Sequence, residues 1–231
     1  MNLYKFGTVS VNSLSALIES SLYFASSKQL NDPTEGMFDI FSTIKKDDVG
    51  ILSMAIGEAS EIAESPFFWA HYGNELRGFC LVFHKECLIN SLNAPSHKKV
   101  KYVHGRSFFG PYENQGVENV SGANLEQNYN WQALAHCLTQ KPYDFWNERE
   151  YRFLKHSSGL KTYQKEDLVG ILIGEKMEQN EMGILLHIIE KQGLLDKVSF
   201  AGTNTNSFRV YKQDHLKTSY KRATKKNHFH F

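Results

Sequence analysis

Glu148, Glu150 and Arg152 fall at every second position of the stretch KPYDFWNEREYRFLK, residues 141–155. Read as one strand, this stretch sends alternate side chains to opposite faces. The three charges then share one face, and Arg149, Tyr151 and Phe153 the other. An arginine beside two carboxylates keeps at least one of them ionised, while repulsion between the pair favours a proton on the other. Such an arrangement suits stabilising an oxocarbenium-like transition state or activating a hydroxyl. An edge strand that turns its charges to water has the same spacing, and E-x-E alone does not separate the two.

A second group lies in FFWAHYG. On a helix, Phe67 and His71 are four apart, as are Phe68 and Tyr72, so rings and polar groups project from neighbouring stripes. Trp69, His71 and Tyr72 could stack on and hydrogen-bond a flat ligand; a core helix with one satisfied histidine reads the same way. In LNDPTEG, Asn31 and Asp32 suit bracing a turn through side-chain to backbone bonds. No P-loop, GxGxxG, HExxH or GxSxG occurs in the chain. The histidines are too scattered to spell a metal site. Cys80, Cys87 and Cys137 form no CxxC pair and suit reduced thiols in a cytosolic protein; Cys80, inside GFCLVF, reads as a buried and inert thiol.

The elements that must position these groups can be read from periodicity. NLYKFG is an apolar-aromatic strand, and VNSLSALIESS a helix capped by Asn12 or Ser13, with Leu14, Leu17 and Ile18 at helical spacing. SLYFAS and GILSMAIGE read as strands. ESPFFWAHYGNELRG has the marks of a short helix, with Ser65 as cap, Pro66 in its first turn and Gly73 near its end. FCLVF, KKVKYVH, LVGILIGE, KVSFAG and SFRVYK are further strand candidates; NWQALAHCLTQK and NEMGILLHIIEKQG are helices. Strands and helices mix without strict βαβ repetition, which predicts an α+β fold over residues 1–216, with short strands in a mixed or split antiparallel sheet flanked by helices. Residues 105–128 read as a long loop. The tail 217–231 holds five Lys/Arg and reads as frayed.

Bulk composition excludes little. A hydrophobic share of 41% with 22% charged residues argues against wholesale disorder. A net charge of +1 gives no global reason to expect a polyanionic partner. No run approaches the roughly 20 apolar residues of a membrane span, and the N-terminus lacks a signal-like stretch, so the expectation is a cytoplasmic protein without a membrane partner.

Taken in order, LYKFG, SLYFASSKQLNDPTEG, FFWAHYGNELRGFCLVF and FWNEREYRFLK resemble a widespread bacterial family, the domain of unknown function 2971. Its members typically read LYKYR, then YFS with FNDPFE, then WAHY with GFCLGF, then WxxExEYR. The match runs over residues 3–155. Here Phe6-Gly7 stands for Tyr-Arg, and Leu30 and Thr34 each stand for Phe. That resemblance carries no activity of its own, but it implies that the shared polar motifs converge on a pocket.

The motif order is also similar to that of NAD-dependent ADP-ribosyltransferases, including those that modify DNA bases. These open with a strand carrying His or Arg, continue with an NLxxIL-type helix, and place the catalytic glutamate late, on a strand. Lys5 holds the His/Arg place, Leu14, Leu17 and Ile18 the helix, and NEREYRF the late strand. This likeness implies an ADP-ribosyltransferase-like fold and NAD as co-substrate, with no metal. Glu150, or Glu148 in another register, would hydrogen-bond the ribose 2′-hydroxyl and stabilise the oxocarbenium. Lys5 and Arg152 would position diphosphate or ribose, and Tyr23, Trp69 and Tyr72 would pack a ring. His71 would make a polar contact, and Asn31 and Asp32 would brace the rim. The acceptor, a nucleic acid or a protein, is left open. A toxin or phage-defence effector with a cognate antitoxin or defence partner is the implied setting. The competing readings are a non-catalytic nucleotide-, nucleic-acid- or protein-binding module in a defence system and, last, a metal-dependent nuclease using Asp32, Glu35, Glu148 and Glu150.

Overall fold

Apolar runs that alternate or stay continuous over four to eight residues become strands, as their period requires. In the computed structural model, β1 (Asn2–Gly7), β2 (Ser21–Phe24), β3 (Gly50–Gly57) and β4 (Phe79–His84) are the first four. They are followed by β5 (Ser96–Lys99), β6 (Lys101–Val103), β7 (Gln140–Pro142) and β8 (Glu150–Lys155). The last are β9 (Gly159–Thr162), β10 (Leu168–Gly174), β11 (Val198–Thr203) and β12 (Val210–Lys212). Helices with both ends among the described residues are α1 (Val11–Ile18), α2 (Pro66–His71), α3 (Lys85–Leu92) and α4 (Gln179–Lys191), and residues 131–132 and 134–137 are helical as well. The structure describes residues 1–30, 49–104, 131–132, 134–203 and 206–212. Asn31, Asp32, the loop 105–128 and the tail 217–231 lie outside the described residues. The fold is α+β with a large mixed sheet, as the interspersed pattern predicts.

The chain clusters into two compact units, and β3 contributes its first half to one and its second half to the other. The first unit comprises Met1–Leu22, Met54–Leu92 and the chain from Thr162 onward. Its strands run in the order β12-β11-β10-β4-β1-β3. β4 pairs antiparallel with β1 (Tyr4 opposite Val82, Lys5 opposite Leu81) and with β10. β10 and β11 are parallel, which requires a crossover, and α4 supplies it. Tyr4, Ile62, Phe68, Trp69, Leu76, Cys80 and Val82 are among the buried residues of one core cluster here.

The cap of α1 differs from the expected Asn12 or Ser13. Ser10 is the N-cap, and Ser10 and Ser13 form a reciprocal box in which each side chain accepts from the other's backbone N–H. The sequence signal was one turn upstream, because serine can play both parts of the box. α2 begins as expected, with Ser65 extended and Pro66 in the first turn. After α2, Asn74, Glu75 and Leu76 all take left-handed φ, of 47°, 55° and 70°. That reversed turn is pinned: Lys176 N–H donates to Leu76 O at 3.0 Å, and Gly78 N–H to Gly73 O at 2.9 Å. Gly174 packs so closely that a Cβ there would sit 2.1 Å from Leu76 O.

The second unit comprises Tyr23–Ser53 and Asn93–Lys161. It contains the strand order β3-β8-β5 and the parallel ribbon β6-β7. The expected strand KKVKYVH divides at Val100: β5 pairs antiparallel with β8, whereas β6 pairs with β7. Its core holds Val49, Ile51, Trp131, Leu134, Cys137, Leu138 and Leu154.

Candidate functional site

The strand expected over the whole of residues 141–155 is broken, and the break builds the site. Lys141 and Pro142 end β7, and Tyr143–Glu148 form a 3-10 turn. Arg149 closes the turn in the left-handed region at φ 45°, and β8 starts only at Glu150. Glu148 is therefore a turn residue rather than a member of the strand. Pro142 accounts for part of this, since its missing N–H cannot continue a ladder.

Chain reversal brings Lys141 back against both glutamates. Lys141 Nζ lies 2.6 Å from Glu148 Oε2 and 3.3 Å from Glu150 Oε2. It also sits 4.8 Å above the centre of the Phe145 ring. Arg152 clamps Glu150 from the other side with a planar fork, Nε to Oε1 at 2.6 Å and Nη2 to Oε2 at 3.0 Å. Its remaining arm, Nη1, donates at 2.7 Å to Leu138 O, just past the helical stretch at 134–137, where carbonyls lack helical partners. Ser53 adds a hydrogen bond to the Glu150 carboxylate.

The two glutamates thus have different lives. Glu150 is buried, its side chain only 7% exposed, and Arg152 beneath it is buried completely. Burial alone would raise the Glu150 pKa. The charge and hydrogen bonds of Arg152, then the charge of Lys141 and the bond from Ser53, outweigh it and hold the carboxyl down at about 2. Two hydrogen bonds from Arg152, one from Ser53 and the adjacent Lys141 charge occupy its oxygens, so it is a fixed negative anchor rather than a proton carrier. Glu148 has its side chain 17% exposed and can meet a ligand at the rim. Tyr102 Oη accepts from Glu150 N–H at 2.8 Å. Its pKa is pushed up to about 12, first by burial and then by the two glutamates, against opposing effects of that hydrogen bond and Lys141.

The same turn carries exposed rings. Tyr143 and Trp146 lie nearly parallel, 18° apart with centroids 6.2 Å from each other. His104 stacks on Tyr143 at 3.8 Å.

Of the residues singled out from sequence, Glu148, Glu150 and Arg152 come together in the second unit. Tyr23 belongs to that unit as well, half exposed, its hydroxyl donating to Gln29 Oε1 at 3.0 Å. Lys5, Trp69, His71 and Tyr72 belong to the first unit. Trp69 is a core residue, 1% exposed, with its indole N–H donating to Ala63 O at 2.7 Å and its ring edge-on to Phe6. Neither ring face nor N–H is open to a ligand, so the packing reading of FFWAHYG holds for this residue. His71 is exposed and packs 4.6 Å from Phe67, and Tyr72 is half-buried. Lys5 is half-buried on β1. Sequence reasoning missed Lys141, Tyr102, Tyr143 and Trp146. Pro142 ahead of an aromatic-polar run was the available signal for a turn that returns Glu148 to Lys141.

Among the described residues, no cluster of three or more His, Cys, Asp or Glu could hold a metal ion. Cys80 is buried in β4, and burial pushes its thiol well above the ordinary range. No described helix is long and apolar enough to cross a membrane.

The class defined by these elements is an α+β protein with a buried Glu–Arg clamp next to a half-open Glu–Lys pair. Residues 68–153, which include FWAHYG, the clamp and the aromatic turn, match the model of a family described as protein of unknown function (DUF2971). No curated protein and no solved structure matches the chain.

Proposed function

We propose that the chain cleaves the nicotinamide–ribose bond of NAD, transferring ADP-ribose to an acceptor or to water, with Glu148 as the carboxylate that meets the ribose. The observation that carries this reading is the shared Lys141: it holds Glu148 at the rim in one fixed orientation while Glu150 is committed to Arg152. In the reaction the C1′–N bond breaks with its electron pair leaving on nicotinamide. Positive charge develops at C1′, and a water or acceptor oxygen or nitrogen then attacks and gives up its proton. A preorganised negative group next to C1′ stabilises that charge without reorganisation at the moment of reaction. Accepting a hydrogen bond from the 2′-hydroxyl would fix the ribose in place. Arg152 and Glu150 act as positioning residues, fixing Lys141 and through it Glu148.

The experiment is nicotinamide release from NAD by the purified chain and by Glu148→Gln, each with and without nucleic acid or protein acceptors. Release should fall about 100-fold or more in the variant at unchanged stability, the scale typical of losing one charge-stabilising group. Equal release by both proteins overturns the assignment.

A second reading is favoured by the saturation of Glu150: a module that binds a nucleotide, nucleic acid or protein without reacting. It is the conclusion to adopt if NAD binds and no nicotinamide is released under any condition.

A further inference from the structure

We infer that the ring stack on the Tyr143–Glu148 turn, together with the lysine run that leads to it, is a seat for single-stranded nucleic acid. An unpaired base would stack on Trp146 and Tyr143, and backbone phosphates would meet Lys98 and Lys101. This goes beyond NAD chemistry and does not depend on it.

Three observations in the second unit carry the inference. First, Tyr143 and Trp146 are 43% and 44% exposed, near parallel and held on a turn whose ends are fixed by β7 and β8. In a 3-10 turn, residues three apart eclipse, so the stacking follows from the backbone rather than from a core. Large rings held in register at the surface present flat apolar area that water solvates poorly. Any base can cover it, because every base has a π-face. Second, residues 96–104 read SHKKVKYVH, with no acidic residue and with Lys98, Lys99 and Lys101 all exposed. Lys101 precedes His104 by three residues, about 10 Å along an extended strand. His104 itself joins the stack on Tyr143. A cationic run ending in stacked rings is the arrangement by which proteins hold single strands without reading sequence. Third, the cations of this run act on their surroundings. His136 is held below its ordinary pKa, first by burial and then by Lys98 and Lys101.

The acidic groups on the turn sort the contacts. Asp144 is exposed and Glu148 is paired with Lys141, so phosphates are disfavoured over the turn and favoured over the β5–β6 lysines. The base, not the phosphate, belongs on the rings. A duplex keeps its bases stacked on one another and cannot offer a free face, so the site prefers unpaired strands.

Fluorescence anisotropy of a labelled oligothymidylate 12-mer, and of a labelled hairpin duplex, tests this with the full chain and no NAD present. The single strand should bind more tightly than the duplex. Trp146→Ala and Tyr143→Ala should each weaken single-strand binding roughly 5- to 100-fold, with Trp146→Phe restoring most of the loss. Replacing Lys98 and Lys101 together with Ala should lower the slope of log affinity against log salt by about 1.4. Three outcomes overturn the proposal: no binding of the single strand; binding that ignores both ring variants; or equal affinity for the duplex, which would mark a general electrostatic surface. A protein captured by the wild type and lost with Trp146→Ala, while oligonucleotide does not bind, would assign the rings to a protein partner instead. Because NAD is absent here and nucleic acid can be left out of the nicotinamide assay, failure of either reading leaves the other standing.

Discussion

Two stretches, SPFFWAH and PYDFWNE, are close in spelling, each a proline followed by rings and a tryptophan, and they end in opposite environments. In the first, Pro66 opens an α-helix, where Phe68 shares a face with Tyr72 four residues on, and Phe68 and its neighbour Trp69 both reach a core with Phe6. In the second, Pro142 precedes a 3-10 turn, residues three apart align, and Tyr143 and Trp146 stack at the surface. Polar residues decide the difference. Asp144 and Asn147, both exposed, interrupt the second stretch wherever a buried stripe would need carbon. A tryptophan in a family motif is thus evidence for packing in one case and for a surface in the other, and only the periodicity around it tells which.

The sharpest break in this comparison is a matched pair of truncations. Trp69→Ala should cost about 3–5 kcal/mol, since it empties a filled core site and orphans Ala63 O. Trp146→Ala should change stability by no more than about 0.5 kcal/mol. Urea unfolding of the two variants checks this, and similar losses would mean that the surface stack is also structural.

A second contrast lies inside the carboxylate site. Arg152→Met leaves Glu150 buried with its main partner gone, at a cost of about 3–5 kcal/mol. The double variant Arg152→Met with Glu150→Leu should recover much of that loss, because the pair is replaced by carbon of similar size. A double variant no better than the single would show that the Nη1 hydrogen bond to Leu138 O, rather than the ion pair, carries the stability.

The smallest effect is in acid. The folded pKa of Glu150 is depressed to about 2, against an ordinary value of 4.5. Its contribution is therefore present in full above 4.5 and is lost as pH falls from there through about 2. The wild type should lose stability steeply across that window and Glu150→Gln less steeply, in urea midpoints measured at successive pH values.

Much of the fold was legible because strong periods stand between clear breaks: NLYKFG, GILSMAIG, FCLVF and LVGILIG are strands as expected. α3 was not, since KECLINSL begins at the residue directly after β4 with no turn residue to announce it. The charged row was half legible. Glu150 and Arg152 do share a strand face, but the alternation NEREYRF runs on past Arg149, where the backbone leaves the extended region, and so hides the turn. Lys141 was invisible as a site residue because its partners lie seven and nine positions away, a spacing no regular helix or strand brings into contact. Trp69 offered no sign of whether its ring faced a ligand or a core, since both uses need the same side chain.

The left-handed turn at Asn74–Leu76 inverts the usual arithmetic of substitution. At the negative-φ positions of an ordered segment, glycine loosens the chain. Here each L-residue carries a penalty of roughly 1–2 kcal/mol for its handedness, which a residue without a Cβ would escape. Drift toward glycine at Glu75 should therefore be tolerated or even favoured, while Gly174, wedged against Leu76 O, accepts nothing larger. Chirality, rather than polarity or size, sets which mutations this corner of the protein can accumulate.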